Sequence, residues 1–135
     1  MTIYQNPLVD IRLDNQLHSI SETWKLAYQE PFTLEVLTQA VGQGLQAFKE
    51  NALTKYMVDI TDRPRLSTAH EVWLETQFYP ELVRNRLHTF VVVSERDIIR
   101  PGIIKNILRR LNEDIHVEIF NKRAPAVAWL KSLNQ

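Results

Sequence analysis

From Val9 to Leu13 the chain alternates apolar and polar side chains, the two-residue period of a strand with one buried face. Asp14-Asn15-Gln16 then supplies turn chemistry, and Leu17 to Trp24 forms a second extended stretch, so residues 8–24 read as an antiparallel hairpin. Beyond Pro31-Phe32 the period changes. Leu34, Leu37, Val41, Leu45 and Phe48 step by three or four, the spacing of one buried helical face, and Thr33 stands in place to cap it. Gly42 and Gly44 interrupt that helix at a propensity cost of about 1 kcal/mol each relative to alanine. They mark either a close approach to the sheet or a soft helix.

Lys55 to Ile60 is mostly apolar, as expected of a strand in a sheet covered on both faces. A charged loop, Thr61 to Leu66, follows. Ser67 with Glu71 nearby, or Thr68 with Glu71 at the three-residue spacing, then offers a capped start for a helix carrying Val72, Trp73, Leu74 and Phe78, and Pro80 either kinks that helix or opens a second piece. His88 to Val93 is a β-branched strand, and Pro101 suits the first turn of a helix bearing Ile103, Ile104, Ile107, Leu108 and Leu111. Ile115 to Phe120 alternates as a half-buried strand. A last helix starts near Asn121, with Pro125 in its first turn, and carries Val127, Trp129, Leu130 and Leu133. The order ββαβαβαβα predicts one α/β domain over residues 1–135. Its sheet is mixed, antiparallel at the N-terminal hairpin and parallel afterwards, and helices cover it. Ligands in such sheets bind beyond the carboxyl ends of the strands, here Asp59–Leu66, Ser94–Pro101 and Asn121–Ala124.

Composition narrows the chemistry. The 135 residues are 44% apolar and 24% charged, enough for a core without disulfides or metal. Sixteen basic and sixteen acidic residues cancel, which argues against a nucleic-acid partner. The absence of cysteine excludes thiolate metal sites and a cysteine nucleophile. The longest aliphatic run, Phe90 to Val93, is only strand-sized, and Met1 to Pro7 lacks the pattern of a secretory signal. No integral membrane segment is expected, and the reading is a cytoplasmic protein. Three glycines, none in a phosphate-loop or nucleophile-elbow pattern, disfavour nucleotide hydrolases and α/β-hydrolases.

Several short stretches, in this order, resemble the small bacterial STAS-like (SpoIIAA-like) proteins. They are Tyr56-Met57-Val58-Asp59-Ile60, Trp73-Leu74 ahead of Phe78-Tyr79-Pro80, Phe90-Val91-Val92-Val93, and Glu118-Ile119-Phe120 leading to Ala124, Ala128 and Trp129-Leu130. The resemblance covers nearly the whole chain, and its closing piece is the most specific. It implies a fold shared with anti-sigma-factor antagonists, the cytoplasmic domains of sulfate transporters, and the lipid-binding Sec14 or CRAL-TRIO lineage. In the antagonists a serine or threonine at the start of the helix after the central strand is phosphorylated, within an Asp-Ser-x-Gly context. Here that place holds Ser67-Thr68-Ala69-His70, after a longer loop and without the glycine.

Candidate chemistry gathers in the same region. Ser67 and Thr68 are the candidate phospho-acceptors, since a phosphoryl charge is favourable at a helix N-terminus; an ordinary cap is the alternative. Arg63 and Arg65, flanking Pro64, are placed to bind an anion or simply to solvate a loop. Asp59 and Asp62 sit close together at a strand end, as acid-base groups or as turn formers. His70-Glu71 matches the first half of a helical zinc-protease motif, but position 74 is leucine. The histidines at 18, 70, 88 and 116 show no metal-ligand spacing, and neither a metal nor another cofactor is expected. Arg96, Arg100, Lys105, Arg109 and Arg110 read as a solvated helix face.

The function these observations imply is a non-catalytic regulatory domain for protein-protein interaction. It acts on an unidentified protein partner through the surface of Asp59, Asp62, Arg63, Arg65, Ser67, Thr68 and His70. Three tryptophans are compatible with a homodimer. The alternative is a carrier or sensor of a small apolar, lipid-like ligand, in a pocket lined by Trp73, Phe78 and Ile104. An enzyme using Asp59, Asp62 or His70 is the third reading.

Overall fold

The structure is a computed structural model that describes residues 1–27, 29–95 and 115–133. Six strands form one sheet in sequence order: β1 (Thr2–Asn6), β2 (Val9–Asp14), β3 (Ser19–Trp24), β4 (Lys55–Asp59), β5 (Thr89–Val93) and β6 (His116–Phe120). The first three are antiparallel, and β3 through β6 run parallel. The expected α/β class and mixed sheet are therefore observed, with one strand more than the pattern showed. Thr2–Asn6 pairs along the outer edge of β2 through a tight turn in which Asn6 Oδ1 accepts the N–H groups of Leu8 and Val9 at 2.7 and 2.9 Å. The turn between β2 and β3 is built alike. Asp14 Oδ1 accepts from the backbone of Gln16 and Leu17, which is the local bonding that favours Asn and Asp in turns.

Helix α1 (Leu34–Glu50) starts where the sequence places it, with Thr33 Oγ1 accepting the Val36 N–H at 3.2 Å. Leu37, Val41 and Phe48 are buried; Leu34, in the first turn, stays exposed. After β4 come α2 (Thr68–Trp73), a single π-helical turn (Leu74–Phe78) and α3 (Tyr79–Arg84). Pro80 explains the break. It has no N–H for the carbonyl four residues back, and its ring crowds that carbonyl. The helix widens by one residue just before it, so that the Tyr79 N–H reaches Leu74 O. The wider turn lets consecutive side chains, Phe78 and Tyr79, both face inward. The helix expected from Pro101, with Ile104 and the cations Arg96, Arg100, Lys105, Arg109 and Arg110, lies outside the described residues.

The two faces of the sheet differ. On one, Ile11, Ile20, Tyr56, Val58, Phe90 and Val92 pack against α1, the π turn and α3 in the main core. On the other, Met57, Val91 and Val93 meet Ala126 and Leu130 of α4 (Arg123–Ser132). No described helix is long and apolar enough to cross a membrane.

Candidate functional site

At the carboxyl ends of β3 and β4 the main core contains a carboxylate. Glu22 occupies the inward register of β3 between Ile20 and Trp24, with Ile11 and Val58 as its cross-strand neighbours. Both its oxygens are engaged: Trp24 Nε1 donates to Oε2 at 2.9 Å, and the Tyr56 hydroxyl donates to Oε1 at 2.8 Å. Burial nevertheless raises the Glu22 pKa above its ordinary value, outweighing these two bonds and the nearby positive charge of Arg63. Burial also raises Tyr56 well above its usual range, reinforced by Glu22, and pushes Tyr79 up to about 12. Burial lowers the pKa of Arg63, half-buried in the loop after β4, against the favourable charges of Tyr79, Glu22 and Glu71.

A second unit clamps the rim. Ser67 caps α2, its Oγ accepting the His70 N–H at 3.2 Å, while His70 Nδ1 accepts the Ser67 backbone N–H at 2.9 Å. This is a capping box with histidine in the place usually held by Glu or Gln. Because Nδ1 accepts a backbone N–H, the proton of the neutral ring is assigned to Nε2, which is buried and has no partner among the described residues. The imidazole, 4% exposed, stacks on Phe32 at 4.4 Å between centroids, and Phe32 meets Trp24 edge-on at 5.2 Å. A column Trp24–Phe32–His70 thus ties the loop after β3 to α2.

The residues singled out from sequence separate into three places. Arg63, half-buried, and His70, buried, lie on the main-core side. Arg65, Ser67 and Thr68 are exposed on the rim. Asp59 faces the opposite side of the sheet, where its Oδ1 accepts the Thr61 N–H at 3.0 Å and its Oδ2 lies 3.5 Å from Arg123 Nη1. Asp62 borders a shallow groove of about 280 Å³ together with Leu26, Ala27, Glu30, Thr61, Arg63 and Pro64. Trp73 and Phe78 stack on each other at 6.5 Å, and Phe78 packs against Tyr56 and Tyr79 within the core. No group of three or more histidine and acidic side chains among the described residues is arranged to hold a metal ion.

Glu22 and Arg123 escaped the sequence reading. The available signal was register: an acid between Ile20 and Trp24 on the apolar face of a strand, and Ser19, Ser21 and Thr23 on the face opposite.

Ser67 separates the cap from the reactive-group reading. Ser67→Ala is expected to lower stability by about 1 kcal/mol, the usual cost of losing an N-cap, with Thr68→Ala close to neutral. Urea titration of the two variants measures the difference. Equal effects would show that the Ser67–His70 box does not hold α2.

No protein-family model matches the chain, and no curated protein matches it.

Proposed function

We propose that this chain is a STAS-like, non-catalytic domain that regulates a protein partner by docking it on the rim formed by the ends of β3 and β4. The observation that carries this reading is a division of labour on the rim. Its reactive side chains are committed to holding its shape, while apolar groups are left open. Ser67 Oγ lies 2.8 Å from His70 Nδ1, a distance that would suit a nucleophile and its base. The same Nδ1 already accepts a backbone N–H, and Nε2 has no carboxylate to orient it, so the pair lacks the arrangement that activates serine. Leu26 in the loop after β3 is 51% exposed and Val72 on α2 is 52% exposed, and the charged Arg65 and Glu71 are exposed as well, with Thr68. Large apolar side chains among charges suit a protein contact.

The Thr68 hydroxyl is exposed and makes no hydrogen bond among the described residues, whereas a phosphoryl group on Ser67 would break the capping box. If docking is switched by phosphorylation, Thr68 is the acceptor that leaves the fold intact.

The test is affinity capture from the source cells with wild type, Leu26→Asp and Val72→Asp, paired with native mass spectrometry. Both variants should keep the wild-type melting temperature and lose the same captured protein, or the same second copy of the chain, with affinity falling roughly tenfold or more. Capture unaffected by either substitution would overturn the docking reading. A retained apolar, lipid-like molecule on the native protein, with no captured partner, would replace it with the carrier reading.

A further inference from the structure

On the α4 side, the floor of the sheet changes character from one half to the other. Over β4 and β5 it is apolar, Met57, Val91 and Val93 lying beneath Ala126 and Leu130. Over β2 and β3 the same face carries Arg12, Asp14, Ser19, Ser21 and Thr23. A groove of about 470 Å³ opens there, between the turn at Asn15–Leu17 and the first turns of α4. That is within the roughly 300–1,000 Å³ range of small-molecule sites and far larger than an inorganic ion requires.

Two guanidinium groups border the groove. Arg123 is held in place from below, donating to Thr23 Oγ1 at 2.8 Å and Ser21 Oγ at 3.1 Å, with Asp59 Oδ2 at 3.5 Å. Arg12 is the cross-strand neighbour of Ser21, so the two arginines flank one serine hydroxyl. Unlike that of Arg123, its guanidinium makes no hydrogen bond or ion pair among the described residues. Of the acids nearby, Asp10 pairs with Lys25 at 3.0 Å and Asp59 with Arg123 at 3.5 Å, while Asp14, which also lines the groove, has its Oδ1 turned onto two backbone N–H groups. Leu17, Met57 and Val127 supply an apolar wall.

We propose that this groove binds a small organic anion, its carboxylate or phosphate held between Arg12 and Arg123 over Ser21 and its carbon skeleton against Leu17, Met57 and Val127. Planar guanidinium forks match both head groups, and one arginine fixed by the protein beside one left open gives a half-organised site that an anion completes. The groove lies on the opposite face of the sheet from the docking rim, so it stands or falls independently of that reading.

Amide chemical shifts of the full chain, titrated with phenyl phosphate, benzoate and inorganic phosphate, test the proposal. Phenyl phosphate or benzoate should move the amides of Ser19, Ser21, Arg123 and Val127 saturably, and the tighter of the two identifies the head group. Arg12→Ala should weaken that binding by about tenfold or more while leaving the melting temperature nearly unchanged, since the Arg12 guanidinium makes no hydrogen bond or ion pair among the described residues. Saturable shifts absent at millimolar probe, or unaltered in Arg12→Ala, would overturn the site. Inorganic phosphate binding as tightly as either aromatic probe would reduce it to an adventitious ion only.

Discussion

Replacing Glu22 with alanine is expected to lower stability by about 3–5 kcal/mol, and replacing it with glutamine by little or nothing at neutral pH. Alanine leaves a void beside Ile11 and Val58 and strips the acceptor from two buried donors, Trp24 Nε1 and the Tyr56 hydroxyl. Glutamine keeps the shape. Its carbonyl can accept from Trp24, and its amide can donate to Tyr56, whose hydroxyl turns from donor to acceptor. The two variants also separate in their response to pH. Burial holds the folded pKa of Glu22 above its unfolded value, so the stability contributed by the protonated carboxyl is fully present below about 4.5 and is lost as pH rises through the folded pKa. Wild type should therefore lose stability relative to Glu22→Gln across that interval, the difference levelling off once Glu22 is fully ionised. Thermal unfolding from roughly pH 4 to pH 8 measures it. Parallel curves for wild type and Glu22→Gln would show that the carboxyl is not held in a desolvated site.

That carboxylate marks the boundary between what local pattern conveys and what it does not. The stripe Leu37, Val41 and Phe48, the cap at Thr33 and the break at Pro80 are legible, because each depends on residues within one or two turns; at α2 the sequence leaves Ser67 and Thr68 open, and the box forms between Ser67 and His70 rather than Thr68 and Glu71. Strand β1 is less so. Ile3 and Tyr4 have strand propensity, but both are only half-buried on an edge strand, and no clean alternation results. The site is harder still. Tyr56 reaches Glu22 across 34 positions, and Arg123 reaches Ser21 and Thr23 across 102 and 100. Proximity along the chain misleads in the other direction as well. Asp59 and Asp62 suggest one carboxylate pair, yet Asp59 still belongs to β4, and strand alternation turns it to the α4 side. Asp62 lies beyond the strand end, in the loop that borders the rim.

The buried hydroxyl that reaches Glu22 also decides which residue α1 presents above it. At Gly44 an added methyl group would stand 2.5 Å from the Tyr56 hydroxyl oxygen, whereas at Gly42 it would meet nothing within 4 Å. Of the two explanations for paired glycines in a helix, close approach to the sheet holds for Gly44, and open space surrounds Gly42. Tyr56 has little freedom to yield. Its ring is stacked on Phe90 at 5.9 Å, meets Phe78 edge-on at 5.3 Å, and is anchored by the bond to Glu22. Gly44→Ala is therefore expected to lower stability by about 1–3 kcal/mol through overpacking, despite the helix propensity of about 1 kcal/mol that alanine adds. Gly42→Ala gains that propensity without the clash. Tyr56→Phe removes the obstructing atom, and the next contacts, Ile11 Cγ2 at 3.4 Å and Tyr56 Cζ at 3.5 Å, are of ordinary length. In that background Gly44→Ala should change sign and stabilise by up to about 1 kcal/mol, a coupling of roughly 1–4 kcal/mol in a double-mutant cycle read by urea unfolding. The same cost for Gly44→Ala in both backgrounds would mean that the hydroxyl is not what keeps position 44 a glycine. The sign change would instead place Gly44, Tyr56 and Glu22 in one unit, in which a missing side chain on α1 makes room for the donor that a buried acid on β3 requires.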